Sequence, residues 1–589
     1  MSSRPWAQKA LAEISQENFD QICTETGLSP ITIKVCLNRG LGSAVQISEF
    51  LNPRLDLLVD PYLIRDMNKA VDRLVVAREN GESIRIFGDY DVDGTTGSAL
   101  LFWVFREFGY QATVRQPDRF KDGYGLNVGA VVEAVADGAK LLVTVDCGIS
   151  SFEAALKAKE LGIDLIVIDH HQIDVIKGIP EAHAVVNPQR ADCESGLKQL
   201  CGCGLAFYVA RALRTRGREL GWWPAGAEPN LKKHLDLVVM ATAADMVPLT
   251  GDNHVLVRHG LDVLKYSRKP GVRALLAAAG LDQKEFSSSH LGFTIGPRIN
   301  ASGRMGSAVT ALELLTTEDE GIAKTLALDL ETKNKERADI QNAIWDEVKA
   351  QVEDGIKQGK FKNSIVVASD SWHEGVVGIV ASRVTETFHK PAIVIALRED
   401  YGKGSARSFG GKDILAGLRE CSAVLKSFGG HRFAAGVAVE FHHFDAFVTA
   451  FDDAMEKVLT DSEQVSLHLE GECSLQDLSI SSLLELEKLG PFGPGNPEPL
   501  FQIEAEAVSH RVLKERHLKF ELTDSQTKTK TDAIWFFGLE RIREGIPESE
   551  KWVLPKGSFV VVPEINRFRG KMTPSLRIKD FKHQRDLAT

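Results

Sequence analysis

Three aspartates at alternate positions, Asp89, Asp91 and Asp93, stand where an apolar run ends and a helix is expected to begin, in Arg85-Ile86-Phe87-Gly88-Asp89-Tyr90-Asp91-Val92-Asp93-Gly94. In an extended segment they point the same way at ~6–7 Å intervals, and a turn before the helix brings two of them onto one centre. The theme recurs in Leu141-Leu142-Val143-Thr144-Val145-Asp146 and in Leu165-Ile166-Val167-Ile168-Asp169-His170-His171. Each β-branched run of strand length delivers acids or imidazoles at its C-terminal end, the edge where α/β sheets bind ligands. Carboxylates gathered there repel one another unless a cation sits among them. A carboxylate between two cations can bridge them, and two-metal hydrolytic sites hold their ions about 3.5–4 Å apart. Capping a helix N-terminus is the plainer use of aspartate, and for Asp93 alone the two readings balance. Capping does not account for paired histidines at a third strand end. His171 is either a ligand itself or the residue that orients His170. Imidazole among carboxylates favours Mn²⁺ over Mg²⁺.

A second chemistry is written further along. Gly404-Ser405-Ala406-Arg407-Ser408, Gly429-Gly430-His431-Arg432-Phe433-Ala434-Ala435-Gly436, and His373-Glu374-Gly375 leading to Ser382 and Arg383 combine small residues with cations. Glycine lets the backbone approach an anion, and arginine grips phosphate oxygens in pairs. One glycine pair is an ordinary turn; three such stretches close together point to a phosphate-binding surface. Pro297-Arg298-Ile299-Asn300-Ala301-Ser302-Gly303-Arg304-Met305 belongs to the same class, with Arg298, Asn300 and Arg304 as contacts. No GxxxxGK[ST] is present, which disfavours P-loop hydrolysis of ATP, and Gly123-Tyr124-Gly125-Leu126-Asn127-Val128-Gly129 is no dinucleotide fingerprint.

These side chains need a scaffold of several domains, and 589 residues are too many for one core. Hydrophobic content of 43% and charged content of 26% are those of a globular protein, without a signal-peptide core or a membrane span. Eight cysteines without a CxxC pair read as reduced thiols in a cytoplasmic protein. The formal charge of −11 argues against a protein that coats duplexes, though a carboxylate cluster contributes to it and local basic stretches remain. One runs from Arg211 to Arg218. Another takes in Arg567, Phe568, Arg569, Lys571, Arg577 and Lys579.

From Ser83 to about Pro188, strand and helix alternate, as in a mostly parallel sheet. The first helix should bury Leu101, Val104, Phe105 and Phe108. From Glu318 to about Gln358 a long helix is expected, with Ile340, Ile344, Val348, Val352 and Ile356 recurring every fourth residue. A second α/β unit begins at Ser364, and short strands beyond Val465 suit a small β-barrel, where Trp535 and Phe536 either stack on a ligand or, for Trp535, fill the core.

The motifs around Asp89–Asp93, Asp146 and Asp169–His171 resemble the first three of the DHH phosphoesterase superfamily. Ala243-Ala244-Asp245-Met246-Val247-Pro248 resembles its fourth, and the His-Glu-Gly and Gly-Gly-His stretches resemble the DHHA1 domain that accompanies it. The order of parts from about residue 60 onward resembles the RecJ-type single-strand exonucleases, with a barrel similar to the oligonucleotide/oligosaccharide-binding (OB) fold. That resemblance implies an α/β multidomain chain: an N-terminal helical segment (1–60), a DHH parallel-sheet domain (61–310), a connecting helix (311–360), a DHHA1 α/β domain (361–460) and an OB-like β-barrel (465–582).

The resemblance also implies 5′→3′ hydrolysis of single-stranded DNA to 5′-mononucleotides in recombination and repair, with two Mn²⁺ or Mg²⁺ ions. Asp89, Asp91, Asp93, Asp146, His170 and Asp245 would be the ligands, and Asp91, Asp146, His170 and His171 the residues at the reacting centre. Arg298, Asn300, Arg304, His373, Arg383, Arg407, Ser408 and His431 would meet the substrate near its 5′-phosphate, and Arg567 and Arg569 along the strand. By the same resemblance the partners are a single-strand binding protein and a RecQ-type helicase; a monomer without membrane contact is expected. Two other readings stay open: a DHH enzyme for short oligoribonucleotides or cyclic dinucleotides, and a scaffold without catalysis that binds replication or repair partners.

Overall fold

The computed structural model describes residues 5–9, 14–119, 121–282, 287–458, 466–524, 527–539 and 555–583. The chain forms two compact units, 57–463 and the union of 1–56 with 464–589. The expected domain limits at residues 460 and 465 lie outside the described residues.

In the larger unit, five strands form a parallel sheet: β1 (Ser83–Gly88), β2 (Gln111–Arg115), β3 (Leu141–Val145), β4 (Asp164–Ile168) and β5 (Ala184–Val186). Every residue of β3 is buried, the condition of a strand covered on both faces, and hence its unbroken apolar run. The order is β2-β1-β3-β4-β5. From β1 the chain goes first to one side and then to the other, so the crevice between β1 and β3 is a topological switch point. Gly88 pairs with Val145 across it, and Asp89 and Asp146 are the next residues.

Helix α1 (Val92–Glu107) comes after β1, and Leu101, Val104, Phe105 and Phe108 are buried as expected. Among the further helices of this part, four bear on the site: α2 (Gly202–Glu219), α3 (Leu235–Ala244), α4 (Gly296–Met305) and the 38-residue α5 (Glu320–Lys357). Asp319 caps α5 by accepting from the Ile322 N–H at 2.8 Å. Its Ala323, Ala327 and Leu330 are buried, and farther on Ile344, Trp345, Val348 and Val352 enter the core of the second sheet. Ile356 does not continue this face; it is half exposed.

The second sheet has the order β9-β10-β8-β7-β6, from β6 (Ile365–Ser369), β7 (Ala392–Leu397), β8 (Tyr401–Arg407), β9 (Ser427–His431) and β10 (Ala434–Glu440). Only β6 and β7 run parallel. Helix α6 (Val377–Phe388) covers one face.

The smaller unit carries β11 (Phe501–Leu513), β12 (His517–Asp524), β13 (Lys530–Trp535), β14 (Lys556–Phe568) and β15 (Lys571–His583). β11 pairs with β12 and β14, β12 with β13, β13 with β15 and β15 with β14, so the pairing returns to its first strand. The N-terminal segment does not stand apart as expected. Ile33, Val35, Leu37 and Ile47 share one core with Phe501, Phe520 and Phe559, and Trp6–Gln8 pairs with Leu467–Leu469. Trp535 belongs to this core, which overturns its stacking alternative, whereas Phe536 is exposed. Among the described residues no helix is long and apolar enough to cross a membrane.

Candidate metal centre and its cationic neighbours

Asp89 ends β1, and Asp91 caps α1, its Oδ1 accepting from the N–H groups of Asp93 (2.9 Å) and Gly94 (3.2 Å). Asp93 is thereby released from capping its own helix. Its carboxylate instead accepts from Gly202 N (2.5 Å) and Cys203 N (2.7 Å), at the start of α2. Gly202 is required by close approach: a Cβ there would lie 2.7 Å from Cβ of Asp146. Asp146, at the end of β3, holds φ at +61°, a left-handed conformation that aspartate tolerates better than most residues. Asp245 stands just past the last turn of α3.

Asp89, Asp91 and Asp146 offer ligand atoms within 4.8 Å of one another, as do Asp93, His170 and Asp245, and also Asp146, His170 and His171. Asp146 and His170 each belong to two of these groups. His170 Nε2 lies 3.1 Å from Asp146, 3.6 Å from Asp93 and 3.8 Å from Asp245. Asp169, the residue after β4, positions the two histidines through their backbone and the His171 ring. Its Oδ1 accepts from both histidine N–H groups and lies 2.8 Å from His171 Nδ1, while its Oδ2 takes the Ile149 N–H. The Tyr124 hydroxyl donates to the Asp146 carbonyl and reaches His171.

Burial, then mutual repulsion, pushes the carboxyls of Asp89 and Asp146 well above the usual range, and carries Asp245 to about 8. Burial also raises Asp93, against the pull of His170. One oxygen of Asp89 is buried without a hydrogen bond among the described residues. A divalent cation answers both conditions, since it supplies the missing partner and lets the acids ionise together. Burial would lower His171, but the bond to Asp169 and the surrounding acids outweigh it and bring it to about 9. The donor set fits Mn²⁺ or Mg²⁺.

The residues expected to meet phosphate divide. Arg304 donates to the Gly375 carbonyl, and burial, then Arg119, Arg337 and Arg407, push it down to about 10. Burial and Arg119 likewise lower Arg407, and His431 is lowered by burial and by the nearby charges of Arg407 and His171. Arg119, Arg304 and Arg407 are therefore mutually repelling cations beside the metal cluster, a setting that calls for an anion. His373 Nδ1 accepts from Gly375 N, and Asn300 Oδ1 is buried without a partner among the described residues.

Others, against expectation, are engaged within the fold. Arg298 pairs with Glu331 of α5 at 2.7 Å and donates to the Thr294 carbonyl. Arg383 lies over the Trp345 ring, and the Ser408 hydroxyl donates to the Lys412 carbonyl. In the smaller unit Arg567 pairs with Glu487, and Arg577 with Glu498 and Glu564. Arg569 lies over Phe568 beside the Gly570 turn. Arg119, stacked on Tyr90, escaped the sequence reading because it stands in a loop without periodicity. Asp169 was in view within its motif; its positioning of both histidines was not.

Three family profiles match: DHH family, N-terminal domain, at 83–242; DHHA1 domain at 362–457; RecJ OB domain at 469–580. The single-stranded-DNA-specific exonuclease RecJ of Dickeya dadantii is 38% identical over 89% of this chain and 91% of its own. That of Escherichia coli is 36% identical over 84% of this chain and 86% of its own. The chain belongs to the RecJ family. The crystal structure of Thermus thermophilus RecJ in complex with Mn²⁺ covers 98% of this chain and 80% of that one, with a TM-score of 0.81 and 28% identity. The same RecJ is known in complex with Mg²⁺. The order of RecJ domains is therefore that of this chain, and its metals are those the donor set fits.

Proposed function

We propose that this chain hydrolyses single-stranded DNA from its 5′ end, releasing 5′-mononucleotides in recombination and repair. It is a metal-dependent, single-strand-specific exonuclease; the convergence of Asp89, Asp91, Asp93, Asp146, His170 and Asp245 carries that reading. These residues would hold Mn²⁺ or Mg²⁺, which would supply charge to polarise the scissile phosphate and to acidify a water for in-line attack. Asp146, which belongs to two of the ligand groups, would help to hold the metal. Asp169 holds the backbone of both histidines and the His171 imidazole, and His171, its Nδ1 on Asp169, supplies a proton to the departing 3′-oxygen. Arg119, Arg304, Arg407 and His431 hold the terminal 5′-phosphate, which sets the polarity and the step of one nucleotide. The RecJ OB domain match supports a strand-binding role for the smaller unit, with Arg569 at a hairpin turn. The chain works as a cytoplasmic monomer, with a single-strand binding protein and a RecQ-type helicase as partners.

Single strands labelled at either end test this. In Mn²⁺ the 5′ label is released first, as a mononucleotide, while the 3′-labelled strand shortens progressively. Early release of the 3′ label contradicts the polarity, and cleavage confined to dinucleotides would favour a small-substrate hydrolase.

A further inference from the structure

Two backbone anomalies flank Asp245, and each presents an apolar side chain to solvent. Met246 holds φ at +56°, rare for a residue with a long side chain, and is 60% exposed. Nearby, Leu291–Ile295 forms a π-helix, a geometry that is rare and concentrates at functional sites, and its Phe293 is 77% exposed. The π-helix abuts the end of α3. A Cβ on Gly292 would lie 3.0 Å from the Ala243 carbonyl oxygen, and one on Gly296 would lie 3.3 Å from Ala244 Cβ. The segment that carries Phe293 therefore packs against the turn of α3 that leads to Asp245.

We propose that Phe293, with Met246, is the platform on which a base of the single strand stacks beside the metal centre. This rests on the strand-hydrolysis reading above. Metal ligands and arginines address phosphates, which single strands and duplexes share. The flat face of a base is open only where the strand is unpaired, and stacking on it tolerates any sequence. An exposed aromatic on the segment packed against the end of α3 thus adds single-strand preference to a centre that otherwise reads only the backbone.

The test is abasic scanning. Parent, Phe293→Ala and Phe293→Trp degrade 5′-phosphorylated strands in which one abasic site is moved along the first nucleotides, and KM and kcat are read separately. In the parent, one abasic position should raise KM by roughly five- to a hundredfold, with kcat moving much less. Phe293→Ala should show that raised KM on the intact strand and no further loss at that position, and Phe293→Trp should restore the parental profile. A parent insensitive to every abasic position overturns the proposal, as does Phe293→Ala with the parental KM and profile; the exposed face would then serve a protein partner. A parent inert on all single strands defeats the underlying functional reading instead.

Discussion

Asp93 shows how one carboxylate can serve the scaffold and the chemistry together. Its backbone N–H is satisfied by Asp91, and its oxygens tie down the first turn of α2 while facing His170. Cap and ligand, balanced in the sequence, therefore do not exclude each other: Asp93 caps a different helix and still stands in one group with His170 and Asp245. Arginines at this scale divide by their partners. Arg407 is partly buried near the like charge of Arg119, so Arg407→Ala should slow degradation of 5′-phosphorylated strands about ten- to a hundredfold, the worth of one charge-assisted contact. Strands lacking the phosphate should respond little, and initial rates on the two substrates decide it. Arg298→Ala is expected to act differently. Leaving the largely buried Glu331 without its closer cation, with Lys335 at 3.5 Å, should cost about 1–3 kcal/mol of stability, read by denaturant unfolding, while the preference for a 5′-phosphate persists.

At the scale of elements, the site depends on how closely α2 approaches the end of β3. Gly202→Ala would press a methyl group against Asp146 and is expected to lower stability by about 1–3 kcal/mol. A shift of about 1 Å at Asp146 would also cost on the order of a hundredfold in turnover, so activity should fall further than the melting temperature suggests. The strand-end ligands were legible because a parallel sheet writes its strands as continuous apolar runs and gathers the residues after each strand at one edge. The long helix was legible in extent but not in facing. Apolar residues at every fourth position advance about 40° per step around a helix of 3.6 residues per turn, so a run from Ile340 to Ile356 cannot keep one face inward. Ile344 to Val352 lie inside, and Ile356 has rotated out. Arg119 left no signal, since its meaning comes from Arg304 and Arg407, which are distant in sequence.

For the whole molecule, the joining of residues 1–56 to 464–589 was beyond local reading, because no periodicity names the distant surface that will cover an apolar helix face. Buried Glu470 ties the two stretches together, pairing with Lys9 at 2.6 Å and accepting from Asn38. Deleting residues 1–56 should therefore uncover the core around Phe501, Phe520 and Phe559. In calorimetry the transition of the smaller unit is expected to weaken or vanish, while Mn²⁺-dependent cleavage by the larger unit survives at reduced strand affinity; an unchanged transition would show that the barrel is complete without the segment. The most direct test of the two-ion centre is a Mn²⁺ titration of parent and Asp146→Ala, with turnover of a 5′-phosphorylated single strand measured in parallel. The parent should bind two ions per chain in the 57–463 unit. Asp146→Ala should lose ion binding and roughly a thousandfold or more of turnover, while retaining its fold and its affinity for the strand. Parental turnover by Asp146→Ala in saturating Mn²⁺, or full activity of the parent in excess chelator, would contradict it.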